Sequence, residues 1–375
     1  MLAKLLIFRL FFFVKLLGVA SAVLIYSTIG NAFAETHQEP NTISKQEVEK
    51  RFEVARNELN SVGVTEETIA KLGDKVDFVS KIVKINNFNK EQAANFIQGI
   101  VNPKFDKMIS GKALPEGGFE VNGQKEPGFG TEEKFKRLQQ KNDVTSSTSS
   151  RYGYAMDTGA HYIYTSTKGY HKGYMHVQFP QVYLGNKSTR AMEFFGFYHE
   201  TGGGGDAGLF TRDGRYWKLG MNIYPAPPGT TGWWEGGKEI DKNEHAEVLL
   251  VSWEENDTLF TSAFNRYTGN QLSAISFYAP GHSFDKSNPT TAVNNEHSLA
   301  FFRNEGDLTD GSYSQYGKHF NVLLADSNGY TVNWDYSKTS SEGKSGTYDE
   351  QRTIKGVYGT PFSNEVNIYF DLPRR

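Results

Sequence analysis

No cysteine occurs among the 375 residues, so thiol nucleophiles and cysteine-ligated zinc are excluded at the outset. The most suggestive run is Pro225-Ala226-Pro227-Pro228-Gly229-Thr230-Thr231-Gly232-Trp233-Trp234-Glu235-Gly236-Gly237. Neighbouring residues of an extended chain face opposite ways, so Trp233 and Trp234 cannot both enter one core. At least one indole is therefore expected in the open or in a groove. A flat ring beside polar groups can stack on the apolar C–H face of a sugar ring. The alternative is a loop tryptophan packed under a sheet edge. Tyr152 and Tyr154 would extend the ligand-binding platform, as would Tyr162 and Tyr164, unless each pair is one ordinary face of a strand.

Bond-breaking chemistry has weaker support. Glycoside cleavage needs two carboxyl groups flanking the scissile bond. Glu193, Glu200, Asp206 and Glu235 are available, but none lies in an E-x-D-x-E run, whose alternation would aim three acids into one groove. A lyase needs a Tyr or His base with a neutralising partner, and His199-Glu200 beside a glycine loop is compatible with that. His199, Glu200 and Glu235 are thus the catalytic candidates, with solvated surface groups as the plain alternative. Gly203, Gly205 and Gly208 match G-x-G-x-x-G in spacing. That motif holds a pyrophosphate only when a helix N-terminus follows it, and Asp206 to Arg212 reads as strand. No nucleotide or other cofactor is expected. The nine histidines include no H-E-x-x-H. His171 and His176, five apart, fall on opposite faces of a strand and cannot share an ion. No G-x-S-x-G elbow occurs, and neither Asp206 nor Asp335 sits in a calcium-like loop. Metal binding stays unassigned by the sequence.

The elements that must position these residues fall into four stretches. Residues 1–34 read as a cleavable export signal: Lys4, Arg9 and Lys15, an apolar run from Leu16 to Ile29, then Ala32-Phe33-Ala34 before Glu35. An uncleaved anchor is the rival, and no stable membrane span is expected after processing. Residues 35–110 carry helical periodicity. Ser44 with Glu47 and Asn89 with Gln92 have capping-box spacing, Thr65 can cap a short helix, and Val48, Phe52, Ala55 and Leu59 line one face. This small helical region reads as an appendage or a prodomain-like unit. Residues 111–150 are a polar linker ending in a Ser/Thr tract, with a short helix around Glu132 to Gln140. Residues 151–375 carry strand patterns, as in Val366, Ile368 and Phe370, or Tyr330, Val332, Trp334 and Tyr336. Turn signals such as Asp213-Gly214, Asn256-Asp257, Thr268-Gly269 and Ser327-Asn328-Gly329 separate them. The fold class expected is an all-β antiparallel sandwich of jelly-roll or concanavalin-like type, preceded by the small α-helical region.

Phe195-Gly196-Phe197-Tyr198-His199, the glycine loop, Asp206-Ala207-Gly208-Leu209 and Tyr216-Trp217-Lys218-Leu219 resemble the YrpD-like family of small secreted bacterial proteins. The resemblance covers Arg151 to Leu372 and implies a β-sandwich working outside the cell, with no catalytic residues to carry over. The strand run is also similar, at fold level, to concanavalin-type sandwiches, which include lectins and polysaccharide-active enzymes.

The net charge of −3, with no basic block, gives no electrostatic reason to bind nucleic acid. The leading expectation is a secreted β-sandwich that binds extracellular or cell-wall glycan without catalysis. A polysaccharide hydrolase or lyase, and a structural or protein-interaction module, are the two rivals.

Overall fold

A computed structural model describes residues 44–113, 119–121, 124–126, 159–200, 204–224, 232–281, 284–301, 310–346 and 354–370. The expected export signal, the Ser/Thr tract, the helix around Glu132 to Gln140, and Tyr152 and Tyr154 lie outside these residues.

Among the described residues four α-helices come first: α1 (Lys45–Ser61), α2 (Glu66–Ala70), α3 (Val76–Ile85) and α4 (Lys90–Val101). Asn89 and Gln92 form a complete capping box on α4, while Ser44 makes only its own half on α1, because the Glu47 side chain turns to Arg51. Strands follow: β1 (Lys107–Ala113), β2 (Phe119–Val121), β3 (Gln124–Glu126), β4 (Gly159–Ser166), β5 (Tyr170–Gln178), β6 (Gln181–Tyr183) and β7 (Thr189–Tyr198). Next are β8 (Gly204–Thr211), β9 (Tyr216–Tyr224), β10 (Gly232–Glu235), β11 (Ile240–Asp241), β12 (Glu247–Glu255), β13 (Thr258–Asn265) and β14 (Gln271–Tyr278). The last are β15 (Ala292–Phe301), β16 (Tyr313–Asp326), β17 (Thr331–Asn333), β18 (Thr339–Gly346), β19 (Ile354–Thr360) and β20 (Ser363–Tyr369).

They build two sheets. A twelve-stranded sheet runs β19-β20-β16-β5-β12-β13-β14-β1-β2-β3, with β6 and β17 also on β16; an eight-stranded sheet runs β10-β9-β8-β7-β15-β4-β18, with β11 on β9. All pairs are antiparallel except β1 with β14. The sandwich expected from the turn spacing is therefore present. The Asn256-Asp257 hairpin has positive φ at both residues, the geometry whose twist matches the strands it joins.

Between the sheets lies an apolar core that includes Met175, Val177, Leu250 and Leu324 of the larger sheet, and Phe195, Phe197, Trp217 and Leu219 of the smaller. A second core forms on the other face of the larger sheet. There Ala55, Leu59, Ile69, Val79, Ile82, Phe96 and Ile100 of the helices pack against Tyr174, Leu249, Val251, Trp253 and Phe264. The described residues from Ser44 on thus form three layers, helices over large sheet over small sheet, and the helical segment shares a core with the sandwich. Asp74, in the 3₁₀ turn Gly73–Lys75 before α3, pins the outer layer by pairing with Lys172 and Lys286. Lys172 is 2% exposed, and burial pushes its ammonium below the usual lysine range despite Asp74. The expected linker at 111–150 opens on strand: β1 carries the chain from the helices onto the large sheet, with β2 and β3 beyond it.

The alternation read from Tyr330 to Tyr336 ends at Asn333, where Trp334 inserts fully into the core and Asp335 caps a short 3₁₀ turn at Tyr336–Lys338.

Candidate functional site

Two places gather chemistry-bearing side chains: the outer face of the small sheet, and the layer between the sheets.

The outer face is set by register. Residues directly opposite on antiparallel strands share a face. One row crosses five strands as Asn294 (β15), Gly196 (β7), Asp206 (β8), Asn222 (β9) and Trp233 (β10). The next row is Ile163 (β4), Glu296, Phe194, Gly208, Gly220 and Glu235. Glycines in both rows leave room for rings. A Cβ on Gly196 would lie 2.4 Å from the Tyr198 ring, one on Gly208 2.5 Å from Phe194, and one on Gly220 2.8 Å from Trp233. Aromatic rings therefore cross the backbone at the glycines, with Phe210 edge-on to Trp233 at 5.1 Å; Phe194 and Phe210 are buried, Tyr198 and Trp233 half-buried.

Polar groups stand among these rings. Tyr198 Oη donates to Asp206 Oδ1 at 2.5 Å, and Trp233 Nε1 donates to Glu235 Oε1 at 2.8 Å; Arg212 also pairs with Glu235. His161 Nδ1 lies 2.8 Å from Glu296 Oε1 and 2.7 Å from Ser298 Oγ, and Ser298 also bonds Glu296. Serine and carboxylate meet the same ring nitrogen, so the three do not form a serine-protease relay, which needs one on each nitrogen. Burial opposes ionisation of Glu296, but His161 and Ser298 outweigh it and hold its carboxyl below the usual range.

The residues expected from the sequence divide between these places. Trp233 is half-buried on the outer face; Trp234 turns inward against Phe277 at 4.5 Å, where it packs on the core and offers no platform. Tyr162 and Tyr164 are buried in the interior, edge to face. His199 is fully buried between the sheets, Glu200 is an exposed partner of Lys168, and Glu235 is on the outer face. The three catalytic candidates do not converge. Asn294, Asn222, Tyr198, Glu296, Ser298 and His161 were not singled out by sequence reasoning. The only signal was alternation in β7 to β9, and β15 hides it by being polar on both faces.

The interior holds two carboxylates, each with two histidines. Glu254 accepts from His171 Nδ1 at 2.6 Å, from Thr291 Oγ1 at 2.7 Å, and faces His199 Nε2 at 3.0 Å. Burial raises its pKa, and the two histidines together overcome that and lower it. Glu193 of β7 lies opposite His297 of β15, and His319 reaches it from β16 in the other sheet. Burial works against the Glu193 charge, yet the neighbouring imidazoles hold its carboxyl at about 2. His171 and His176 lie on opposite faces of β5, as the spacing required: His171 points between the sheets and His176 towards the helices, against Phe320.

No family model matches the chain, and no curated protein matches it. Among solved structures, scytalido-glutamic peptidase with a transition-state analog inhibitor is similar over 57% of this chain and 98% of its own, at 10% identity and a TM-score of 0.39. A family 16 endo-glucanase from Bacteroides ovatus matches over 37% and 66%, at 9% identity and a TM-score of 0.25. Bacteriophage CBA120 tailspike protein 2 matches over 49% and 27%, at 12% identity and 0.28. Likeness this distant transfers no activity to this chain.

Proposed function

We propose that this is a secreted protein that binds extracellular polysaccharide along the outer face of its small sheet, without cutting it. One observation carries the reading: the half-buried rings of Tyr198 and Trp233 lie beside Gly196 and Gly220, with half-buried Asn222 and Glu235 in the same two rows, over a buried layer of Phe194, Phe210, Asp206 and Asn294. The open parts of the Trp233 and Tyr198 rings offer stacking surface for the C–H faces of sugars, and the Glu235 carboxylate and Asn222 amide can bond hydroxyls. A flat strand-borne surface suits an extended polymer better than a small molecule, which a concave pocket would enclose.

The test is a broad array of bacterial, plant and fungal glycans, followed by titration of the best binder. Trp233→Ala should weaken binding at least tenfold with the circular dichroism spectrum unchanged, the loss expected when one large stacked ring is removed. No glycan bound above background would end the proposal. Release of reducing ends, abolished by Glu296→Gln, would replace binding with hydrolysis; Glu296 and Asp206, two buried carboxylates on this face, favour that second reading.

A further inference from the structure

Two clusters of the same composition lie between the same two sheets, and they are not equally satisfied. Around Glu254 every short contact of the carboxylate is a well-formed hydrogen bond, and the orphaned atom is the outer His199 Nδ1. Around Glu193 they are not. Glu193 Oε2 lies 2.7 Å from His297 Nδ1 and 2.9 Å from His319 Nε2, yet none of these three buried atoms has a hydrogen-bond partner of proper geometry. Short separation without alignment means that the groups converge on a common region and do not point along one another.

The outer ring nitrogens are held. His297 Nε2 faces Asn364 Oδ1 at 2.6 Å, and Asn364 is itself oriented because its Nδ2 donates to the Thr360 carbonyl. That fixes Nε2 as the N–H of His297 and turns Nδ1 inward. His319 Nδ1 faces Asn295 Oδ1 at 2.5 Å, leaving Nε2 inward. Amide oxygens behind the outer N–H groups of two histidines, with the inner nitrogens meeting a carboxylate, is the arrangement that orients metal-binding imidazoles. Glu193, His297 and Asn295 come from the small sheet, His319 and Asn364 from the large one.

The strand that delivers His319 is bent to do so. β16 changes register between Ser314 and Gly317 and again between Phe320 and Leu323, with positive φ at Tyr316 and Asn321. His319 faces the sheet interface, and so do Val322 and Leu324. Odd and even positions can share a face only because the second bulge inserts one residue between them.

We propose that Glu193, His297 and His319 bind a divalent transition-metal ion, Zn²⁺ in the first instance, which cross-links the two sheets. Two imidazoles, which are borderline donors, with one carboxylate oxygen make a set that zinc accepts. All three side chains are at most 3% exposed, so the ion is structural, with no face open to a substrate. The two imidazoles are stacked 3.7 Å apart, 17° from parallel. A ring nitrogen binds a metal in the ring plane, so occupancy fans the rings apart.

Untagged full-length chain is stripped with a chelator, exposed to Zn²⁺ or Co²⁺, desalted and analysed for metal. One equivalent should be retained, Co²⁺ should give the visible bands of a low-coordinate N/O site, and Zn²⁺ should raise the melting temperature of stripped protein. Glu193→Gln and His319→Gln, folded by circular dichroism, should each bind at least tenfold more weakly, and Glu200→Gln on the surface should bind as wild type. Retention below a tenth of an equivalent by wild type, or undiminished retention by folded Glu193→Gln, overturns the proposal. Should neither variant fold, the wild-type cobalt spectrum decides, and a six-coordinate, aquo-like spectrum overturns it.

Discussion

His176 isolates what burial does to one side chain. Both its ring nitrogens are buried without a hydrogen-bond partner, and the ring rests against Phe320 at 4.4 Å. Burial, aided by the Arg266 charge, pushes its pKa down to about 3. The folded chain therefore keeps His176 neutral while the unfolded chain takes up a proton below about pH 6.5. Its effect on stability is absent above that pH and grows as the pH falls towards 3. Linkage at about 1.4 kcal/mol per pH unit makes the loss about 2 kcal/mol between pH 6.5 and 5. His176→Phe removes the titrating group and the orphaned nitrogens while keeping a ring on Phe320. Its melting temperature should exceed that of wild type, and the gap should widen from pH 7 to pH 5. Two parallel curves would contradict the argument. Single residues were partly legible in the sequence. That Trp233 and Trp234 face opposite ways follows from strand geometry, whereas which one enters the core depends on register with Met221 of the adjacent strand and on Phe277 of the other sheet.

Elements were legible where local chemistry is strong. Asn89 and Gln92 announced α4, and Asn256-Asp257 announced a hairpin, because caps and turns are satisfied within a few residues. β15 was missed. Its Asn294-Asn295-Glu296-His297-Ser298 is poor in strand formers and polar at every position, since one face carries the buried Glu296–Ser298–His161 hydrogen bonds and the other the buried cluster between the sheets. The bulge in β16 was equally invisible, because no residue pattern distinguishes a bulged strand from two short ones. It makes a specific demand at Asn321, whose φ is +56°. Asn tolerates that region and a β-branched residue does not. Asn321→Val should cost about 1–2 kcal/mol and Asn321→Gly under about 0.5, as read by urea unfolding. Equal effects from the two would mean that the backbone there is not constrained.

At the scale of the molecule, the sandwich followed from strand content and turn spacing, but its third layer did not. The stripe Val48, Phe52, Ala55 and Leu59 says that α1 has a face to bury; it does not say against what. The partner proves to be the outer face of the large sheet, so Tyr174, Trp253 and Phe264 are core residues. With that face closed by helices, the outer face of the small sheet keeps Tyr198, Asn222, Trp233 and Glu235 as half-buried groups. Both clusters of interest draw on strands widely separated in sequence, so spacing motifs could not report them. Sheet register assembles the outer rows, and stacking of the two sheets assembles Glu193, His297 and His319.

Hydroxyl-radical footprinting, with and without the best-binding glycan, asks directly whether the outer rows are where polysaccharide lies. Modification of Trp233 and Tyr198 should fall several-fold on binding, while the exposed Tyr267 and Tyr358, 61% and 60% exposed, should be modified as before. A glycan that leaves Trp233 and Tyr198 unprotected, or shields Tyr267 and Tyr358 in their place, would contradict the account.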